Sequence, residues 1–240
     1  MDIERMNKPK VAVGMLFKEE MIFRDMMKAA LRFYREPDWV FYFQTRIQFV
    51  DLARNVVASQ ALKSGAEYLF FWDSDIVVPP DVVPRLMAHG LPVVSGLYWR
   101  RHPQIFPEAF RVNTKGITEP MSLEEIHTLK HQTQPIECDA VGLGCCLIHK
   151  SVLEKLAKRS DRFRMISPDD LHEPIEVIQF MKFIMQNHVT VSEDVHFCWR
   201  VKHELGYKIF VDLNIECQHL TGAQVSDGKL GFSALAYTKE

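Results

Sequence analysis

Tyr68-Leu69-Phe70-Phe71-Trp72-Asp73-Ser74-Asp75 decides how the rest of the chain is read. Five consecutive apolar or aromatic residues predict a strand buried on both faces, and two carboxylates follow one residue apart. In an open parallel sheet, ligands bind outside the carboxyl ends of the strands, where these acids emerge. Two neighbouring anions repel unless a cation lies between them. A hard divalent ion with phosphate oxygens as its other ligands meets that need. A turn into Pro79-Pro80-Asp81 would call for one such acid, not two.

The flanks set this strand in an alternating pattern. Lys10 to Phe17, with Val11, Val13 and Leu16, predicts a first strand. A helix then opens at Lys18, with Phe23, Met27, Ala30, Leu31 and Tyr34 at helical spacing, and Glu36-Pro37-Asp38 stops it. Trp39 to Phe43 is a second strand, and Phe49 to Ser64 a second helix closed by Gly65. Beyond the opening stretch, a third helix runs from Pro80 to Gly90 and a fourth strand from Pro92 to Trp99. Strand and helix in turn predict an α/β fold, a mainly parallel sheet with helices on both faces.

Residues 100–135 lose the pattern. Pro103, Pro107 and Pro120 interrupt it, although Ser122-Leu123-Glu124-Glu125 reads as a capping box for a short helix. Neither flank is linker-like, so this is an irregular insertion inside one domain spanning 1–240. Ile136 to His149 returns to strand character, broken by Gly142 and Gly144. Helices are expected at Ser151–Arg159, Ile175–Asn187 and Ser192–Leu205, the last ended by Gly206. Strands follow at Lys208–Val211 and Leu213–Gln218, and residues 221–240 form a tail.

Composition narrows the partners. A net charge of −2 gives no electrostatic case for nucleic acid and no polybasic membrane anchor. Five cysteines are odd in number and without metal-site spacing, which fits a reducing, cytoplasmic setting. Met1 to Lys10 lacks the apolar segment of a signal peptide, and no window reaches the ~18 apolar residues of a transmembrane segment.

Three sites could carry chemistry: Asp73-Ser74-Asp75, Glu193-Asp194 at a helix start, and His219 at the end of the last strand. Each has an ordinary explanation by itself. Ser192 with two acids is what a helix N-terminus favours, and a lone histidine after a strand is commonly a surface residue. Their occurrence together, in this order, is the signal.

The ordered set resembles the GT-A glycosyltransferases, within them the large family-2-like group, from Val11 to about Leu220. The resemblance rests on Arg54-Asn55, Gly65-Ala66-Glu67-Tyr68-Leu69, Asp73-Ser74-Asp75 and Ser95-Gly96-Leu97-Tyr98-Trp99-Arg100-Arg101. It continues through Asp139-Ala140-Val141-Gly142-Leu143-Gly144, Ser192-Glu193-Asp194-Val195-His196-Phe197-Cys198 and Gln218-His219-Leu220. It implies that Asp75, with Asp73, holds Mn²⁺ or Mg²⁺ against the diphosphate of a nucleotide-sugar donor (a UDP- or GDP-sugar), with His219 as a further metal ligand. Asp194 would take the proton of the attacking acceptor hydroxyl, with Glu193 beside it as a second candidate. Arg54 would lie near the nucleotide, although a solvated helix arginine is an equal reading. The first-strand end, Met15 to Lys18 and Leu16 within it, would border the base or ribose. Ser74, Gly142 and Gly144 would line the donor pocket.

Where that group commonly has an acid near the base, this chain has Gln44-Thr45-Arg46, which leaves the base open. The short chain favours one sugar transferred per encounter, and the resemblance, through the acidic pair before a helix, implies an inverting displacement with a retaining one left open. A rival is the haloacid-dehalogenase pattern, with Asp73 as nucleophile, Asp75 as acid/base and Ser95, Lys150 and Asp169-Asp170 in later motifs. That motif normally sits on a first strand, and His219 would then have no task. A nucleotidyltransferase would need more than the single glycine and lysine of Gly14 to Lys18 to cradle a triphosphate. A non-catalytic nucleotide-sugar-binding module would keep the pocket without the base.

Overall fold

The structure is a computed structural model that describes residues 9–16, 30, 39–44, 49–100, 106–167, 170–186, 189–220, 224–226 and 229–231. Its elements in chain order are β1 (Val11–Leu16), β2 (Trp39–Gln44), α1 (Val50–Lys63), β3 (Tyr68–Asp73), β4 (Ile76–Val77), α2 (Val82–Ala88) and β5 (Val93–Leu97). Next come β6 (Ala109–Val112), β7 (Thr118–Pro120), α3 (Leu123–Leu129), β8 (Ile136–Cys138), β9 (Ala140–Val141), β10 (Cys145–His149) and α4 (Lys150–Ala157). The chain continues through β11 (Arg162–Ser167), β12 (Asp170–Ile178), β13 (Ile184–Gln186), β14 (Val189–Val191) and α5 (Glu193–Leu205). It ends with β15 (Ile209–Glu216), β16 (Gln218–His219), β17 (Gln224–Ser226) and β18 (Lys229–Gly231).

A seven-stranded sheet in the order β2-β1-β3-β10-β5-β15-β8 forms the centre. β1 pairs parallel with β2 and β3, and β5 pairs parallel with β15. β10 runs antiparallel between β3 and β5, and β8 runs antiparallel on the far edge. Five strands therefore share one direction, a mixed but mainly parallel sheet.

β3 carries the reason for two helical layers. Leu69 and Phe71 point into one buried cluster, with Val57 of α1, Leu153 of α4 and Val201 of α5. Phe70 and Trp72 point into the other, with Val82, Val83 and Leu86 of α2. Alternation along a strand puts successive side chains on opposite faces, so an unbroken apolar run requires cover on both. Each such side chain stabilises by roughly 1.5–3 kcal/mol through burial.

Buried polar side chains fasten the first layer. On α1, Asn55 accepts from the Phe180 and Met181 amides at 2.8 and 3.1 Å and donates to the Met181 carbonyl at 2.7 Å. From α5, Arg200 donates to the Gln179 and Phe180 carbonyls at 3.0 Å, and His196 Nδ1 accepts from the Lys182 amide at 3.1 Å. The segment over 178–182 thus spans α1 and α5, the two helices that carry Arg54 and the Glu193-Asp194 pair.

The strands and helices expected through Trp99 are present, save the helix from Lys18. Apart from Ala30, which is helical and packs on the α2-side cluster, it lies outside the described residues. Three expectations need correction. The 106–135 part of the insertion is ordered: β6 pairs with β7 and β9, and Ser122 Oγ caps α3 by accepting from the Glu125 amide at 3.1 Å. The stretch from Ile175 is not a helix but the end of the β11–β12 hairpin, followed by a loop and β13. Its β-branched Ile175, Val177 and Ile178 suit a pleated surface. The two final strands are one, β15, with a register shift between Asp212 and Glu216, followed by β16. Part of the expected tail forms the β17–β18 hairpin. Among the described residues, no helix is long and apolar enough to cross a membrane.

Candidate functional site

The end of β3 is held by its neighbours. Asp73 lies opposite Leu16 of β1, its amide donates to the Gly144 carbonyl at 3.0 Å, and the Ser74 amide donates to the Leu16 carbonyl at 3.3 Å. The Trp72 indole N–H donates to the Ile76 carbonyl at 2.6 Å, closing the turn that exposes Ser74 and Asp75. These backbone and indole bonds define the turn, which leaves the acids for other work.

Asp73 meets Arg54. The Arg54 guanidinium, 3% exposed, donates from Nη2 to Asp73 Oδ2 at 3.0 Å and from Nε to Glu193 Oε1 at 3.1 Å, and it lies over the Phe71 ring at 5.3 Å. The solvated-helix reading of Arg54 is thereby corrected. Burial alone would lower its pKa, but Asp73 and Glu193 outweigh it and raise it, so the guanidinium is always charged. Glu193 is also buried, and desolvation pushes its carboxyl up against the counter-pull of Arg54. Its Oε1 is engaged by that arginine. The second Asp73 oxygen, Oδ1, is buried with no hydrogen-bond partner. Orphaned buried oxygens are rare and costly, by about 1–3 kcal/mol.

Asp75 meets His219 through the short β4–β16 pairing, in which Ile76 lies opposite His219 and the Leu220 amide donates to the Asp75 carbonyl at 2.7 Å. His219 Nδ1 is 2.9 Å from the Trp99 carbonyl, which can only accept, so Nδ1 carries the hydrogen. Nε2 then lies 3.3 Å from Asp75 Oδ2. An unprotonated ring nitrogen and a carboxylate oxygen that close are held together by a proton or a metal ion between them. Cis ligands of an octahedral ion with bonds of ~2.1 Å stand about 3 Å apart, which fits this spacing. Histidine donating its far nitrogen to a carbonyl is the usual support of a ligating imidazole.

No three His, Cys, Asp or Glu side chains are grouped as a ready-made cage among the described residues. Asp75 and His219 come together beyond the end of β3, while Asp73, two residues before Asp75, keeps one orphaned buried oxygen and is tied to Arg54. Such a set fits an ion whose remaining ligands come from a bound phosphate.

Asp194 sits at the start of α5, half-buried. Ser192 is the helix N-cap residue but makes no capping bond with its side chain; its hydroxyl donates to Asp194 Oδ1, which also accepts from the Val195 amide at 2.8 Å. Oδ2 makes no hydrogen bond among the described residues.

Gly142 and Gly144 have a reason the sequence did not show. A Cβ on Gly142 would stand 2.1 Å from Tyr98 Oη, and one on Gly144 would stand 2.9 Å from both Tyr98 Oη and Asp73 Oδ2. The glycines make room for Tyr98, whose Oη accepts from the Gly144 amide at 2.9 Å and whose ring meets His219 edge-on at 6.1 Å. Burial first, then Glu108 and Asp73, keeps the Tyr98 phenol neutral by raising its pKa well above the ordinary value. Leu16 lies beside Asp73 but turns its side chain into the α1-side core.

Glu108, just before β6, escaped sequence reasoning. Its amide donates to the Tyr98 carbonyl and its carbonyl accepts from the Gly142 amide, both at 2.9 Å. Burial, then the Asp194 carboxylate, pushes its carboxyl up to about 7 against the pull of Arg100 and His219. Only its proximity to the Pro103–Pro107 stretch could have drawn attention to it.

No protein-family model matches the chain, and no curated protein sequence matches it. Solved structures do resemble it. A197 from STIV is 15% identical with a TM-score of 0.56, covering 89% of this chain and 86% of that one. GalNAc-T7, solved with UDP, GalNAc and Mn²⁺, is 12% identical with a TM-score of 0.50 over 89% of this chain. The chain spans only 44% of the GalNAc-T7 chain. At these identities the likeness speaks for architecture alone, a mixed, mainly parallel α/β sheet of the GT-A type.

Proposed function

We propose that this chain is a metal-dependent glycosyltransferase that moves a sugar from a UDP- or GDP-sugar to an acceptor hydroxyl, one sugar per encounter and with inversion. The observation that carries the reading is the facing of His219 Nε2 and Asp75 Oδ2 at 3.3 Å, beside the orphaned Oδ1 of Asp73. In this reading Asp75, His219 and Asp73 hold Mn²⁺ or Mg²⁺. When bound, the ion supplies Lewis-acid stabilisation of the leaving nucleoside diphosphate.

The chain's own residues do the rest. Arg54 is a positioning residue: it fixes one Asp73 oxygen so that the other faces the site. Leu16, Ser74, Gly142 and Gly144 lie along the donor side, Gly142 and Gly144 through the Tyr98 wall that they admit. Asp194, with Oδ1 anchored by Ser192 and Val195, presents Oδ2 to the hydroxyl and takes its proton. A cytoplasmic setting suits five buried, unpaired cysteines.

The phosphatase reading loses support at two residues. Asp73 ends the third strand of the chain with Oδ2 held by the buried Arg54 of α1, and Ser95 Oγ is spent inside the sheet on the Gly96 and Cys145 carbonyls at 2.8 Å. A binding module without catalysis is separated by Asp194→Asn, which should abolish transfer and leave donor binding intact.

The test is thermal unfolding with UDP or GDP, with and without Mn²⁺. Stabilisation at ~100 times the dissociation constant is about 2.7 kcal/mol. It should require the ion and vanish in Asp75→Ala. A shift of equal size in Asp75→Ala, or without metal, would falsify the metal assignment.

A further inference from the structure

We propose that Glu108 is a catalytic residue that shares with Asp194 the removal of the proton from the attacking hydroxyl. The inference rests on the transferase reading above and deepens it.

Position comes first. Glu108 is tied by its backbone to two residues lining the site, Tyr98 and Gly142, at 2.9 Å each. A Cβ on Gly142 would come within 3.0 Å of the Glu108 Cβ as well as 2.1 Å of Tyr98 Oη, so both side chains pack over that glycine. Two residues on, the same backbone passes under Tyr98 Oη and Asp73 Oδ2 at Gly144. Glu108, Tyr98 and Asp73 therefore form a row along 142–144, with the buried phenol in the middle.

Partnership comes second. Asp73 and Glu193 are paired with Arg54, Asp75 with His219, and Asp194 Oδ1 with Ser192. The Glu108 carboxyl has no hydrogen bond or ion pair among the described residues. A half-buried acid with no partner, close to other acids, costs stability and organises nothing. Such groups concentrate where chemistry needs them.

The charges facing it are Asp194, Asp73 and the neutral Tyr98 phenol, against Arg100 and His219. Their balance and burial place its carboxyl at about 7, where a base is both available and strong enough to accept a proton. In the reaction, the bond from sugar C1 to the diphosphate oxygen breaks and its electron pair stays with the diphosphate. The hydroxyl oxygen bonds to C1, and the hydroxyl proton ends on a carboxylate, Glu108 or Asp194.

The experiment uses the full chain with Mn²⁺ and follows nucleotide release from UDP-glucose, UDP-GalNAc and GDP-mannose, with water or alkyl glycosides as the hydroxyl, from pH 5.5 to 8.5. Wild type is compared with Glu108→Gln, Glu108→Asp and Asp194→Asn, and each is checked for a wild-type thermal shift with nucleotide and Mn²⁺. Glu108→Gln should lose roughly 10- to 100-fold in kcat with little change in donor KM, since a full general base contributes about 10²–10⁴ and here two share the task. It should also lose the rise in rate near pH 7, and Glu108→Asp should recover that rise in part. Glu108→Gln with wild-type kcat and pH profile, in an enzyme that turns over, overturns the role of Glu108 alone. Loss of Mn²⁺-dependent nucleotide binding in Glu108→Gln would make it a ligand and overturn it equally. A wild type that releases no nucleotide from any donor overturns the transferase reading, and this inference with it.

Discussion

The two aspartates of Asp73-Ser74-Asp75 are one residue apart, equally accessible at 27% each, and meet different partners. Asp73 belongs to a region closed by ion pairs: Arg54 binds it and Glu193 together, over Phe71 and beside Tyr98. Asp75 belongs to the region proposed to open on the ligands, with His219 Nε2 3.3 Å away and with Asp194 and Glu108 as the further acids of that side. The contrast teaches how one short motif can join scaffold to chemistry. The strand's alternation sends its first acid back over the sheet and its second out of the turn. The closed region pre-sets the open one.

Breaking the closed region should have the largest effect. Arg54→Met leaves the buried Glu193 and the half-buried Asp73 without their cation, a defect that costs about 3–5 kcal/mol where one partner of a buried pair such as Arg54–Glu193 is lost. Urea unfolding of the metal-free protein reads this directly. The triple replacement Arg54→Met, Glu193→Gln, Asp73→Asn should recover part of it, because the charges leave together. If Arg54→Met unfolds at the wild-type midpoint, the closed region is not closed.

The aspartates themselves should come apart next. Asp73→Asn weakens a buried charge-assisted bond that is worth about 1.5–3 kcal/mol, so it should lower the metal-free midpoint. Asp75→Asn should leave that midpoint near wild type and remove the response to nucleotide with Mn²⁺. Equal losses of stability from both would erase the distinction between the regions.

How much of this could be read from the sequence follows the same line. Runs such as Tyr68–Trp72 announce burial on both faces, so β1, β2, α1, β3, α2 and β5 are legible from local pattern. Direction is not: nothing in Cys145–His149 says that β10 inserts antiparallel between β3 and β5, since that depends on where the returning chain finds room. The hairpin of β11 and β12 was missed because, among the described residues, only its Val177–Ile178 end is fully buried, which leaves little period to see. Asp75 and His219 stand out in the sequence because motif and order point to them, and the fold brings them within 3.3 Å. The partners of Arg54 lie 19 and 139 positions away, and a helix arginine looks the same whether buried or solvated. Glu108 was invisible because what distinguishes it is the lack of a partner among the described residues, a property of packing and not of sequence.

That lack gives the smallest effect, and the sharpest separation, in the pH dependence of metal-free stability. Glu108 has a folded pKa of about 7 against an ordinary 4.5, so between those values the folded chain binds more protons than the unfolded one. Its contribution is whole below pH 4.5 and fades as pH rises through 7. His196, on the same helix as Asp194, has the opposite sense. Burial, then Arg200 and Lys182, lowers it to about 4 from 6.5, so its contribution is whole above 6.5 and fades as pH falls through 4. The difference in unfolding free energy between Glu108→Gln and wild type should therefore grow in favour of the variant from pH 4.5 to 7. For His196→Asn, which keeps an acceptor for the Lys182 amide, the difference should favour the variant increasingly as pH falls from 6.5 to 4. A flat Glu108→Gln difference would mean that its carboxyl is as well solvated or paired as any surface acid, and the open region would then hold one base fewer.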